Sequence, residues 1–208
     1  MSPAHVLEPT YQAIKQRLMT GRWPPGYHLD TARLADDLGV SKSPVRDSLN
    51  HLAGERMVEF VAGAGFYVPR LDETRLRDLL DLHMHLLLIA LQSGFLIEPE
   101  SIVLEGTRDS ASKRFLRLAR ASGNGEIAEV VAGINDRLST VRRLERRVLS
   151  HPDAVLEEMD DAISSRADPA LICELLVRYH DERMSHAAAL ARFLAMDATE
   201  ASSGSKVD

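Results

Sequence analysis

Lys42, Ser43, Arg46, Asp47 and Asn50 fall on one side of a segment whose other side is Val45, Leu49 and Leu52. At helical spacing the apolar set faces a core and the polar set faces outward. Arginine can grip guanine O6 and N7, asparagine can grip adenine, and serine can bond phosphate, so such a row can read the major groove of DNA. A polar helix face is more often only solvated. The elements around this one decide between the two.

A second group of residues could do different chemistry. Glu145 interrupts the stripe Ile127, Val131, Ile134, Leu138, Val141 and Val148. Arg183 and His186 share a face with Ile172, Leu175, Leu176, Tyr179, Leu190 and Leu194, and His83 shares one with Leu76, Leu80, Leu87 and Ala90. A carboxylate among apolar side chains needs a partner. Polar groups from three helices turned toward one interior could line a pocket for an anionic or hydrogen-bonding small molecule, with Asn124, Tyr179 and His180 as further candidates. A buried Glu145–Arg183 or Glu145–His pair that satisfies only itself is the alternative. An enzyme using Glu145, His83 or His186 as acid or base has little support. The chain carries no phosphate loop, no metal-ligand spacing and no nucleophile placed beside a base.

The elements that must hold the first group are short. Ile14 and Leu18, with Tyr11 a turn before, predict a helix over 11–20, ended by Gly21-Arg22-Trp23-Pro24-Pro25-Gly26. Leu34, Ala35 and Leu38 predict a second, opened by Asp30 or Thr31 and closed by Gly39. Ser41 can cap the third, with Pro44 in its first turn. Two helices joined by Gly39-Val40-Ser41 make a helix-turn-helix. Val58 to Val61 and Phe66 to Val68 then predict a hairpin around Ala62-Gly63-Ala64-Gly65, a wing after the helices. Arg33, Ser41, Gly63 and Gly65 complete the candidate DNA contacts.

Beyond Pro69-Arg70-Leu71-Asp72 the chain reads as entirely helical, near 73–93, 109–122, 126–149, 153–165 and 169–195. The expected organisation is a winged helix-turn-helix domain over 1–70, an all-α bundle over 71–197 and a frayed tail over 198–208. Leu82, Leu86 and Ile89 give the first bundle helix a second apolar side, as burial within the domain or in a dimer would require. The run Arg142-Arg143, Arg146-Arg147 is expected on a solvated face.

Composition limits the rest. With 208 residues, 45% hydrophobic and 27% charged, the chain is neither a disordered tail nor a fibre. Its one cysteine, Cys173, excludes an intrachain disulfide, and the start at Met1-Ser2-Pro3-Ala4-His5 lacks a secretory pattern; a cytoplasmic address is expected. The apolar run Leu86 to Leu91 is far short of the ~20 residues a membrane helix needs. The formal net charge is −6, but residues 1–70 carry eight basic and seven acidic side chains, and the acidic excess lies in the remainder. A protein acidic overall can bind DNA through a locally basic element, because only charges touching phosphates release counterions.

The run Leu34-Ala35-Asp36-Asp37-Leu38-Gly39-Val40-Ser41-Lys42-Ser43-Pro44-Val45-Arg46-Asp47-Ser48-Leu49, with Leu52 and Met57-Val58 after it, resembles the winged-helix domain of GntR-family transcription regulators. Gly21 to Leu29 is similar to that family's turn before the second helix, and Gly65-Phe66-Tyr67-Val68 to its wing. The resemblance spans about residues 8–70 and implies operator binding as a homodimer, with Lys42 and Arg46 at the basic positions of the recognition helix. The family's usual basic residue two positions before Leu34 is Ala32 here, with Arg33 beside it. The segment Phe115 to Leu118, Ser122-Gly123-Asn124 and the long helix after it resemble the helical effector and dimerisation domain of the fatty-acid-regulator (FCD-like) branch. Many members of that branch hold a divalent metal with one Asp and three His. The matching positions here are Ser112, Leu116, the neighbourhood of Leu156, Glu157 and Glu158, and His180, so the resemblance implies that no metal or other cofactor is held. The Arg and Glu usual in the branch match His83 and Leu87, and the stretch from Ala90 to Phe115 is short for the helix normally placed there.

Overall fold

The computed structural model describes the backbone of residues 4–92 and 109–204, and side chains within 6–92 and 109–196. Mainly α, the described residues form nine helices and three short strands. They divide into two compact units, Met1–Leu71 together with Arg192–Asp208, and Asp72–Ala191.

In the first unit α1 (Ala4–Met19), α2 (Thr31–Leu38) and α3 (Lys42–Gly54) surround a core of Tyr11, Ile14, Leu18, Leu34, Val45, Leu49, Leu52 and Phe66. α1 begins about two turns before the predicted start and accommodates Pro9, next to which the Thr10 hydroxyl donates to the Val6 carbonyl at 2.6 Å. Asp30 is the residue that caps α2, its Oδ1 accepting from the backbone N–H groups of Ala32 and Arg33 at 2.7 and 3.1 Å. Gly39 ends α2 at φ 64°, a left-handed conformation that glycine adopts without the Cβ penalty. Ser41 is the N-cap residue of α3, yet its side chain makes no capping bond and stays exposed.

The wing is a three-stranded antiparallel sheet in the order β1 (His28–Leu29), β3 (Gly65–Tyr67), β2 (Glu59–Val61). Leu29 and Phe60 both pair with Phe66. Periodicity could not reveal β1, because two residues hold no repeat. Gly65 has φ 101°, and a Cβ there would lie 3.0 Å from the His28 ring, so β1 and β3 can approach only across a glycine.

The second unit packs α4 (Glu73–Gln92), α5 (Ser110–Ala121), α6 (Gly125–Leu144), α7 (Ala154–Ser164) and α8 (Pro169–Ser185) around Leu87, Phe115, Leu118, Val131, Leu156, Met159, Leu176 and Tyr179. Two predicted helices end early. The one expected over 126–149 stops at Leu144, and Glu145–Arg147 tighten into a 3₁₀ turn whose Glu145 carbonyl accepts from Val148 and Leu149. The one expected over 169–195 breaks at His186. There the Glu182 carbonyl is taken by the Ser185 hydroxyl (2.7 Å) and the His186 ring (2.8 Å), while the His186 backbone N–H turns to Arg183, so side chains compete with the helical ladder. α9 (Ala187–Gly204) follows. Its helical backbone runs to Gly204, into the stretch expected to form the tail. The expected end of the first bundle helix at residue 93 and residues 205–208 lie outside the described residues.

Leu82 and Ile89 on α4 are about half exposed, so the second apolar side of that helix is not covered as fully as its inner side. No helix of the described residues is long and apolar enough to cross a membrane.

Candidate functional site

Two constellations emerge, one in each unit. On α3, Ser41, Lys42, Ser43, Arg46, Asp47 and Asn50 are all exposed, while Val45, Leu49 and Leu52 on the opposite face are fully buried. Arg33 on α2 is exposed as well. None of Arg33, Lys42 and Arg46 forms an ion pair among the described residues. Lys15 on α1 differs, being drawn inward to Glu55 at 2.8 Å, where Tyr11 also donates to the same carboxylate. Gly63 is exposed at the wing turn with φ 77° and Gly65 is half-buried in β3. These residues offer free cations, hydroxyls, an amide and open backbone on a firmly packed support.

The second constellation is a polar network within the helical unit. Arg183, 1% exposed, lies 3.4 Å from the centre of the Tyr179 ring. Its Nη2 donates to Glu145 at 2.8 Å and to the Pro152 carbonyl at 2.6 Å, while Nη1 donates to the Tyr179 carbonyl and to Glu182, both at 3.1 Å. Burial pushes the Glu145 carboxyl up, against the pull of Arg183 and Arg142. Burial likewise raises the Tyr179 phenol, with Glu145 adding to the effect. The predicted Glu145–Arg183 pair is therefore present, and it also fastens the turn after α6 to α8.

Beside it stands Arg142, whose side chain is 7% exposed. Its Nη1 donates to Ser112 Oγ at 2.6 Å and its Nη2 to Asn135 Oδ1 at 2.8 Å, and Asp109 lies 3.5 Å away. Burial disfavours this cation, but Tyr179, Asp109 and Glu145 outweigh that and hold its pKa up. The expectation of a solvated arginine face thus holds for Arg143, Arg146 and Arg147 and fails for Arg142. Asn135, Leu138, Arg142 and Glu145 recur at i, i+3, i+7 and i+10, a periodicity that could have placed all four on one inward face.

His83 and His180 are fully buried and joined, His83 Nδ1 lying 2.8 Å from His180 Nε2. His180 Nδ1 is 2.8 Å from the Leu176 carbonyl. Burial, reinforced by His180 and Arg142 and opposed by Asn135, holds the His83 pKa well below the usual histidine range. Burial also lowers His180, to about 3. Both rings pack against Phe115, and His180 also against Tyr179.

The structure does not bring every predicted residue to this network. Asn124 is an exposed N-cap of α6, its Oδ1 accepting from Glu126 and Ile127. His186 is partly exposed at the α8 break, bound to Glu182 and Ser185, because that break turns it off the face carrying Arg183. An open depression of about 530 Å³ borders the outer side of α8 at Cys173, Val177 and Asp181, away from the inward residues of that helix.

The positions corresponding to the branch's metal ligands do not fit a metal. Ser112 Oγ is held between Asp109 and Arg142, Leu116 and Leu156 are buried apolar side chains, and both nitrogens of His180 are engaged. Glu157 and Glu158 are exposed, the latter paired with Arg178. Among the described residues no three His, Cys, Asp or Glu gather as a metal site would require.

Residues 8–68 match the family model of bacterial regulatory proteins, gntR family. A helix-turn-helix transcriptional regulator in an unstable DNA locus of Streptomyces ambofaciens is 30% identical over 155 residues, which are 64% of this chain and 64% of that protein. The Escherichia coli K12 regulator McbR is 25% identical over 162 residues, 76% of this chain and 66% of McbR. The chain thus spans just under two thirds of each of these relatives. The structure of McbR superimposes with a TM-score of 0.66, covering 88% of this chain and 96% of that one at 18% identity. That of a GntR regulator from Rhodococcus sp. RHA1 superimposes with a TM-score of 0.70, covering 88% and 97% at 15% identity. The winged-helix domain followed by a helical domain is a fold shared with both.

Proposed function

We propose that this chain, whose front domain belongs to the GntR family of bacterial regulatory proteins, is a cytoplasmic, homodimeric transcription regulator that represses by occupying operator DNA. In this reading α3 enters the major groove, where Arg46 and Asn50 read base edges and Arg33, Ser41, Lys42 and Ser43 hold phosphates. The wing backbone at Gly63 and Gly65 approaches the adjoining groove. A small molecule entering the helical domain among His83, Glu145, Tyr179, His180 and Arg183 shifts the operator affinity. The curated relatives being transcriptional regulators agrees with such a role.

One observation carries the DNA half of the proposal: the exposed cations of the outer α3 face, Lys42 and Arg46, form no ion pair among the described residues, so they are available to phosphates and bases. Titration of the DNA upstream of the protein's own gene at fixed salt tests it. Arg46→Ala is expected to lose about 1–3 kcal/mol of specific binding and to relax sequence choice. Unchanged affinity would remove Arg46 from the interface. The completed Glu145–Arg183 pair favours a second reading, in which the helical domain only dimerises. Screening metabolites for release of the operator separates the two, since only the first reading gives a response.

A further inference from the structure

The wing carries no permanent cation. From Met57 to Pro69 the sequence holds neither lysine nor arginine, and its one charged residue is Glu59, an exposed carboxylate on β2. The outward side chain of β1 supplies what the hairpin lacks. Leu29 turns into the core while His28 is exposed, and the register sets His28 opposite Tyr67, with the two rings 5.0 Å apart. Nε2 of His28 reaches over Gly65: a Cβ at that glycine would lie 3.0 Å from it, so the imidazole stands in space that a side chain on β3 would fill. The ring makes no hydrogen bond among the described residues.

The same imidazole acts on the start of the helix-turn-helix. The Asp30 carboxyl is held below its ordinary range chiefly by the backbone N–H groups of Arg33 and Ala32, and further by the charges of His28 and Lys42. Asp30 thus feels both the first residue of α3 and the β1 ring, so one ring neighbours the start of the recognition helix and the wing glycine together. A phosphate lying between those two parts is repelled by Asp30 and by Glu59. An imidazolium there offsets the repulsion and donates an N–H to the phosphate oxygen. We propose that His28 is a further phosphate-contact residue of the DNA-binding domain, gripping the backbone between α3 and the wing in its protonated form. The contact rests on the operator-binding reading above and adds to it a pH-dependent charge, because histidine is the side chain able to gain its charge in the range where DNA is bound. Around an imidazolium at this place, Asp30 at the α2 start attracts, Lys42 on α3 repels, Tyr67 on β3 presents a neutral ring, and Glu59 stands beyond it on β2.

A phosphate contact carries no sequence information, so a short duplex of unrelated sequence serves as the probe, titrated with the full chain at low salt beside the upstream DNA. Wild type should bind the unrelated duplex about two- to fivefold more tightly near pH 6 than near pH 8, the scale of one solvent-exposed ion pair. Its salt slope should steepen by about 0.9 over the same interval, as one more phosphate is neutralised. His28→Gln stays uncharged and should lose both changes, whereas His28→Lys should bind near pH 8 as wild type does near pH 6. His51→Gln, on α3 but away from the wing, should keep both changes. The helical domain is common to all of these chains, so a pH effect arising there cancels in the comparison. The wild-type slopes stand even if a variant folds poorly. A pH response undiminished in His28→Gln, a salt slope that does not steepen, or no gain in His28→Lys would each overturn the inference. If Arg46→Ala weakens binding to the upstream DNA while His28→Gln leaves the pH response intact, His28 alone is rejected. If no duplex is bound at either pH, the operator-binding reading falls and His28 with it.

Discussion

The outer face of α3 and the interior around Arg183 both gather arginine with hydrogen-bonding neighbours, but they spend their charge differently. Arg46 and Lys42 are exposed and form no ion pair among the described residues, so their interaction energy is available to an outside polyanion. Arg183 and Arg142 are enclosed and answered by carboxylates, carbonyls and aromatic faces, so theirs is committed to holding helices together. The difference follows from placement. A charge on a solvated face costs little to keep free, whereas a buried one must be paired or the unit does not form.

The largest test of this contrast is Arg183→Met. It strands Glu145 in an apolar setting and frees the Pro152 carbonyl, and removal of one partner of a buried pair costs about 3–5 kcal/mol. A steep fall in the chemical-denaturation midpoint is expected. A small change would show that the pair contributes little and that Arg183 is free for other work.

Acid is the next probe. His83 and His180 have folded pKa values below the ordinary value near 6.5, so the unfolded chain binds more protons. Their contribution to stability is present above that value and is lost as the pH falls toward about 3. Each can impose a slope of up to about 1.4 kcal/mol per pH unit below ~6.5. Unfolding followed from pH 7 to 4 should show this slope reduced in His180→Phe, and an unchanged slope would contradict burial of the neutral pair.

Arg46→Ala should do the reverse of the core variant, impairing specific DNA binding while changing stability by no more than about 0.5 kcal/mol, as is usual for exposed substitutions. Lys42→Ala should weaken different DNA sequences evenly and lower the salt slope of binding by about one. The smallest effect belongs to Arg146→Ala. Its pair with Asp153 at 2.7 Å is solvent-exposed, so a stability loss below about 1 kcal/mol is expected by thermal unfolding. A larger loss would blur the distinction between paired surface charge and paired core charge.

The legibility of the two regions in the sequence differs for a related reason. In the front domain, function depends on neighbours one or two turns apart: Asp30 caps α2, Gly39 closes it, and Val45, Leu49 and Leu52 turn Arg46 outward. Local periodicity and turn chemistry suffice for that. The back domain's helices were legible in the same way, but their ends were not. Side-chain competition at His186 and the 3₁₀ turn at Glu145 depend on bonds that propensity does not reveal.

By itself the sequence determined that a winged helix-turn-helix precedes an all-α unit, and that Glu145, Arg183 and His83 lie on faces otherwise apolar. Only the tertiary structure decided which polar residues meet: Ser112, Asn135 and Arg142 join the interior, while Asn124 caps a helix at the surface and His186 leaves the Arg183 face. It also decided that His83 Nδ1 faces His180, 97 positions away. Helical spacing specifies the face a side chain occupies. The partner it finds there is set by the packing of distant helices, because each buried polar group takes whatever donor or acceptor the close-packed interior places within reach.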